Sequence, residues 1–554
     1  MIDNKDNEII LCKGIKMDRN YENVLSYSES DMVTLCRNNA IYQADKYNFI
    51  EKANNRIVID YQYSSAMYAN YVAFKNPRFG NKWIFAWVTD VKLINIGSTE
   101  ITFEVDVWST WYSRFNLSQA FIEREHVSDD TFGKHTIPEN LQTGEMVING
   151  YDTFDEFAND PFIIAGVTKL PSEIYSLVLA GSGIPSRLYN GIYSGLTYIA
   201  FKTFEDATKF LLIMDGQGIS DNVYDLFLVP KSIVIIENNQ WNTTSCSGEI
   251  TIPDSSFSYT ITFDINYKII PNSVTEQVMK ANQEITMNST LDGYTPKNNK
   301  MFTGEFNYMY ITNNAGSDAK YNYEDFYDNT PIFNLVGAVC PGCSIRLIPK
   351  NYKKFDVGGE DYLDNPYGLT GGKYPTCSWS SDSYTNWITQ QSVNIGLDTS
   401  QTLAGSIVAG AINPSAGLLL GGLGLINDSI KKDVNKEFMP VQAKGNINSG
   451  DVTFSIGMNQ FILYNMSCKY EFAKVCDDYL SRFGYRVNEV KTPNLNSRTQ
   501  FNFIKVGGMD ELVSGDIPST DLEKINEICR KGVTIFHNYS NIGNYTISNP
   551  IVTP

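Results

Sequence analysis

Three segments that run on from one another fix the first reading of this chain: Lys82-Trp-Ile-Phe-Ala-Trp-Val-Thr-Asp-Val-Lys-Leu-Ile94, Asn95-Ile-Gly-Ser-Thr99 and Glu100-Ile-Thr-Phe-Glu-Val-Asp-Val-Trp108. In an extended chain successive side chains point to opposite faces, so Ile101, Phe103, Val105 and Val107 share one face and Thr102, Glu104 and Asp106 the other. Aromatic and β-branched residues favour strands, and a short Gly-containing segment between two such runs reads as a hairpin loop. Working outward, Arg56-Ile-Val-Ile-Asp-Tyr-Gln-Tyr63 and Gln119-Ala-Phe-Ile-Glu-Arg-Glu-His-Val127 extend the set over residues 57–125.

The same bias continues through the 554 residues, which include 34 Tyr and 30 Phe. Length suggests several domains, and 42% hydrophobic with 19% charged residues is a globular composition. The expectation is a mainly β protein with a few helices (α+β), built from antiparallel barrel or sandwich domains. Turn-rich stretches place its boundaries near 150, 265 and 390. Helices are expected over Thr203–Met214, over Glu471–Phe483 with Gly484 as C-cap, and from a capping box at Thr520–Glu523 to Gly532. Leu226–Pro230, Ser232–Ile236 and Val533–His537 read as strands.

The net charge is −18. That argues against a protein that grips nucleic acid by neutralising phosphates, though not against a conduit through which DNA slides. No signal peptide is read at MIDNKDNEIILCKG, so the nine cysteines are expected as free thiols formed in a reducing cytoplasm. Cys340-Pro-Gly-Cys343 lacks a second ligand pair and reads as a turn rather than a zinc site. The acidic residues Asp356, Glu360, Asp361 and Asp364 fit no EF-hand spacing and read as a solvated loop. His126, His135 and His537 are the three histidines. None has the neighbours of a metalloprotease motif, and each reads as structural. There is no nucleophile elbow and no phosphate-binding loop. No catalytic residue, metal or cofactor is expected, although a carboxylate pair formed in three dimensions leaves glycoside hydrolysis open.

Thr399–Asn427, between Asp398 and Asp428, is uncharged and free of aromatics. Its large aliphatics are Leu403, Ile407, Val408, Ile412, Leu418, Leu419, Leu420, Leu423, Leu425 and Ile426. Each, left in water, forgoes roughly 1.5–3 kcal/mol, so the ten together exceed the roughly 5–15 kcal/mol net stability of a typical domain. Pro414 interrupts the stretch and forces Asn413 away from helical backbone, so it cannot be one spanning helix of about 20 residues. Helical or extended arms both remain open. So do two environments: a buried helical hairpin within a domain, or a membrane-active loop whose small residues let copies pack together. Six glycines, each costing a core helix roughly 1 kcal/mol relative to Ala, favour the second.

Several segments, taken in order, resemble the tail knob or distal tail tube proteins of small short-tailed bacteriophages with protein-primed genomes. They are Gly80-Asn-Lys-Trp83, Phe103–Trp108 and Phe121–Val127, then Phe483-Gly-Tyr485, Lys491–Leu495, Ser514–Ile517 and Ile542–Tyr545. The resemblance covers roughly 60–125 and 475–545. It implies a homo-hexamer, a tube at the virion tail tip made in the host cytoplasm, contacting other tail proteins. Residues 1–150 and 446–554 would together form the ring-forming β domain, with β-rich domains at 151–265 and 266–390 inserted. The apolar loop at 391–445 would plug the lumen and then enter the host cell membrane for genome ejection, while viral DNA passes without specific binding. The loop carry-over falls on the ten aliphatics above with Pro414. A tail-associated receptor-binding or wall-degrading protein, and an independent pore-forming toxin, are the competing readings.

Overall fold

The computed structural model describes residues 7–374 and 457–552, apart from 46, 51–54, 76–79, 81, 158–160, 182–187, 190–191, 194–195, 220–221, 235–239, 252–257, 271–276, 328–329, 340–342 and 354–364. The chain divides into two units. One contains Met1–Met146, Thr290–Phe306 and Cys468–Pro554; the other contains Val147–Ser289 and Asn307–Ser467. The passages between the units fall at 146–147, 289–290, 306–307 and 467–468, and the strand Ser258–Ile269 runs through residue 265.

In the first unit the expected hairpin is the centre of a seven-stranded antiparallel sheet. Its order is Ala40–Ala44, Glu8–Cys12, Tyr71–Lys75, Trp83–Asn95, Ser98–Val105, Arg56–Ile59 and Asn48–Ile50. Both faces are buried at the base. Tyr71, Trp83, Phe85 and Trp87 enter the main core, and Val72, Phe74, Ala86, Ile101 and Phe103 a second cluster on the other face. The returning strand stops at Val105, three residues before the expected end. Asp106 instead caps the short helix Val107–Trp111, accepting the Ser109 N–H (3.1 Å) and the Tyr71 hydroxyl (2.7 Å). Val107 therefore lies on a helix, not on the strand face it was expected to share.

The same unit holds a five-stranded sheet, in the order Asn23–Leu25, Val533–Phe536, Phe501–Val506, Ala120–Glu125 and Tyr485–Lys491. Asn23–Leu25 pairs in parallel with Val533–Phe536, and the remaining pairs are antiparallel. The two chain ends are thus neighbours in one sheet. The Tyr470–Phe483 helix runs as expected and buries Ala473, Cys476 and Leu480. Gly484 ends it with φ +66°, where a Cβ would run into the Glu125 carbonyl; only glycine serves there.

The Ser519–Lys531 helix starts one residue before the expected capping box. Thr520 is already helical, Pro518 occupies the N-cap, and Glu523 pairs with Arg530 (2.8 Å). Pro fits a helix start because the lost N–H would have no partner there. The helix Glu29–Asn38, not foreseen, carries a capping box of its own between Ser28 and Asp31.

In the second unit a five-stranded sheet runs Val223–Val229, Phe162–Val167, Thr197–Phe201, Ser258–Ile269, Asn242–Thr251. The expected helix is present as Phe204–Gly216, capped by Thr203, whose side chain accepts the Asp206 N–H (3.1 Å). Ser232 is not in a strand: Pro230 ends the preceding one and Lys231–Ile233 forms a 3-10 turn. The unit also contains two four-stranded sheets, one pairing Asn307–Thr312 with Phe461–Cys468, the other centred on Ile332–Gly337 and Arg346–Pro349. The mainly β expectation holds.

Candidate assembly surface

The Trp83–Asn95 strand changes character along its length. Up to Trp87 it belongs to the core; beyond Val88 most of it faces solvent. Pairing with Ser98–Val105 nevertheless continues to Asn95 opposite Ser98, and Arg56–Ile59 flanks the returning strand as far as Thr99, so the outer half of Trp83–Asn95 runs along the sheet to the turn of the hairpin, referred to below as the arm. Its end carries Leu93 (60% exposed), Ile94 (50%) and Ile96 (94%). Gly97 closes the turn, its N–H bonded to the Asn95 side chain (2.9 Å). An isolated exposed aliphatic is ordinary; here three lie within four positions at one hairpin end.

The base of the first unit is held by buried charge. Glu139 is fully buried, pairs with both the Arg124 guanidinium and the Lys300 ammonium, and accepts the Arg486 N–H (2.8 Å). Arg124 also donates to the Gly484 carbonyl (2.7 Å). Glu305 accepts the N–H groups of Glu139 (2.7 Å) and Leu141 (3.1 Å). Burial pulls the Lys300 pKa down even with Glu139 beside it. A second carboxylate, Asp477, accepts from Tyr294 Oη (2.9 Å), Lys297 N (2.8 Å), and both N (3.2 Å) and Nδ2 (2.8 Å) of Asn298. Between them these two acids fasten residues 124, 139, 290–306 and 477–486 together. Such partners leave no local sequence pattern, because they lie up to 360 positions apart.

The histidines are structural in position. His126 Nδ1 accepts the Phe503 N–H (2.7 Å), which leaves Nε2 to donate to Ser481 O (3.1 Å). Burial, with Arg498 nearby, holds its pKa down at about 3. His135 Nε2 lies 2.8 Å from Asp129 O, and His537 bridges Ser26 Oγ (2.9 Å) and Asn502 Oδ1 (3.0 Å). Burial lowers both pKa values. Cys12, Cys36, Cys246, Cys476 and Cys529 are buried thiols. Burial raises the pKa of Cys246 and Cys529 to about 12, which makes them poor nucleophiles.

The apolar residues from Leu403 to Ile426, with Pro414, lie outside the described residues, as do Cys340 and the acidic group Asp356, Glu360, Asp361 and Asp364. Among the described residues no helix is long and apolar enough to cross a membrane, and no three His, Cys, Asp or Glu side chains gather as a metal site.

Residues 267–550 match the family described as the C-terminal domain of the Bacillus phage phi29 tail knob protein gp9. Residues 5–116, which contain the arm, match the caudoviral major tail protein N-terminus. The chain is 24% identical over 572 residues to the tail knob protein gp9 of Bacillus phage phi29, covering 93% of both chains. It is 22% identical over 574 residues to that of Bacillus phage PZA, covering 92% of both. Its fold matches the structure of the bacteriophage C1 tail knob protein gp12 with a TM-score of 0.62 at 13% identity, over 99% of this chain and 100% of that one.

Proposed function

The chain belongs to the phi29 gp9 tail knob family, and on that premise we propose that it is a structural component of a virion tail, not an enzyme, whose copies close into a hexameric conduit for DNA. The observation that carries the assembly reading is the hairpin arm. Its base is locked into a core on both faces, while its tip presents Leu93, Ile94 and Ile96 to solvent. The exposed apolar end of the hairpin contributes little to its own subunit and is suited to burial against a neighbouring copy.

The unit formed by the chain ends is the ring-forming domain in this reading, and residues 147–289 and 307–467 make up the inserted part of the chain. The segment from Leu403 to Ile426 plugs the lumen and later enters the host cell membrane. Six apolar loops in one lumen shield one another from water, and lipid offers a second apolar environment, so release need not cost the whole transfer energy. Net charge −18 suits a channel through which DNA passes without being held. Other tail proteins are its remaining partners.

The test has two parts. Light scattering gives the mass of the purified protein; the hexamer is expected for the parent and smaller species for Ile96→Asp with Leu93→Asp. A hexamer that survives both changes removes the arm from the interface. Deletion of 400–426 is expected to leave a folded hexamer that no longer releases dye from liposomes. A deletion that unfolds the protein makes the segment core instead. Sugars or peptides released from cell walls by the parent would favour a wall-degrading tail protein.

A further inference from the structure

Within the unit formed by the chain ends, a cleft of about 430 Å³ lies among the Tyr470–Phe483 helix, three strands of the five-stranded sheet and the end of the Ser519–Lys531 helix. That volume is in the range of sites that hold small organic ligands, about 300–1,000 Å³. One wall is aromatic. Tyr479 and Phe483 have ring centroids 5.0 Å apart, and Phe503 meets Phe483 edge-on at 5.2 Å. The charged lining comprises Arg124, Arg486, Lys505 and Lys531 against Glu123 and Glu139.

These six groups are not equally committed. Glu139 is already bound by Arg124, Lys300 and the Arg486 N–H. Lys505 pairs with Glu123 (2.9 Å) and Lys531 with Glu527 (2.9 Å), both in partly or fully exposed settings where ion pairs exchange readily. Among the described residues the Arg486 guanidinium has no hydrogen-bond or ion-pair partner. The cleft is therefore locally cationic in a chain of net charge −18, and an anion would meet attraction there and repulsion over much of the remaining surface.

We propose that this cleft binds a ring-bearing organic phosphate. The ring lies on the Tyr479–Phe483 wall, and the phosphate is held by Arg486, Lys505 and Lys531. A guanidinium fork with two ammonium groups matches the several oxygens and double charge of a phosphate better than it matches one carboxylate. The aromatic wall supplies stacking that inorganic phosphate cannot use. A nucleotide and a sugar phosphate share this chemistry.

Calorimetric titration of the full chain with adenosine monophosphate, glucose 1-phosphate and inorganic phosphate tests it. At least one ring-bearing phosphate is expected to bind more tightly than inorganic phosphate, with affinity falling as salt is added. The preferred ligand identifies the source as nucleotide or glycan. Arg486→Gln and Lys531→Gln, whose backbones and melting temperatures should be unchanged, are each expected to weaken binding about tenfold, the loss of one charge-assisted contact. Tyr479→Leu should weaken the ring-bearing ligands and leave inorganic phosphate unaffected. No heat with any of the three ligands overturns the proposal. So does equal affinity for inorganic phosphate, and so does binding that survives Arg486→Gln in a protein that remains folded.

Discussion

The two halves of the Trp83–Asn95 strand differ in what surrounds them more than in what they are made of. Trp83, Phe85 and Trp87 are buried; Leu93 and Ile94, just as apolar and in the same ladder, are exposed. Neighbours decide the difference. Core packs on both faces at the base, whereas toward the turn Val91 still packs against the second cluster and, among the described residues, Leu93, Ile94 and Ile96 stay exposed. Apolar character predicts a demand for burial, and the fold determines whether the same chain or another copy meets it.

Substitutions at the two ends should therefore separate stability from assembly. At the base, Glu139→Ala leaves Arg124 and Lys300 buried without their carboxylate, and a loss of about 3–5 kcal/mol is expected in urea unfolding. A smaller loss than Phe85→Ala, for which about 3–5 kcal/mol is also expected, would mean that packing outweighs the charge cluster. Gly484→Ala should lower the melting temperature substantially, because φ +66° and the Glu125 carbonyl both oppose a side chain.

Acid probes the base more gently. The His126 pKa is about 3 when folded, below its ordinary value of about 6.5, so between these values the unfolded chain binds more protons. The contribution of neutral His126 is complete above the unfolded value and declines as pH falls through it toward the folded one. The expected slope from this residue is about 1.4 kcal/mol per pH unit within that window. Urea unfolding at a series of pH values should show it, and His126→Gln should flatten it. The smallest stability effect belongs to the arm. Ile96→Asp should change subunit stability by no more than about 0.5 kcal/mol while reducing the assembled mass.

What could be read from the sequence was local. Alternation located the Ser98–Val105 strand, and the apolar stripe with Gly484 located the Tyr470–Phe483 helix to within a residue. The Ser28–Asp31 capping box was equally local and marks a helix that the strand-rich surroundings obscured. At Thr520 the same kind of signal misled, because Pro518 starts the helix and Arg530 engages Glu523. The Glu139 cluster had no local signature at all, since its members come from four separated segments. The cationic cleft was hidden for the same reason: Arg486, Lys505 and Lys531 are unremarkable singly in an acidic chain.

The parallel pairing of Asn23–Leu25 with Val533–Phe536 also has a consequence for synthesis. Ser26 Oγ donates to the Phe536 carbonyl (3.3 Å) across 510 positions of chain. A ribosome must release almost the whole polypeptide before that sheet can close, whereas residues 147–289 and 307–467 are made earlier. Unfinished chains therefore lack the finished sheet, and ring closure, where this unit forms the ring, is reserved for full-length copies. Position in the gene thus acts as a timer on assembly.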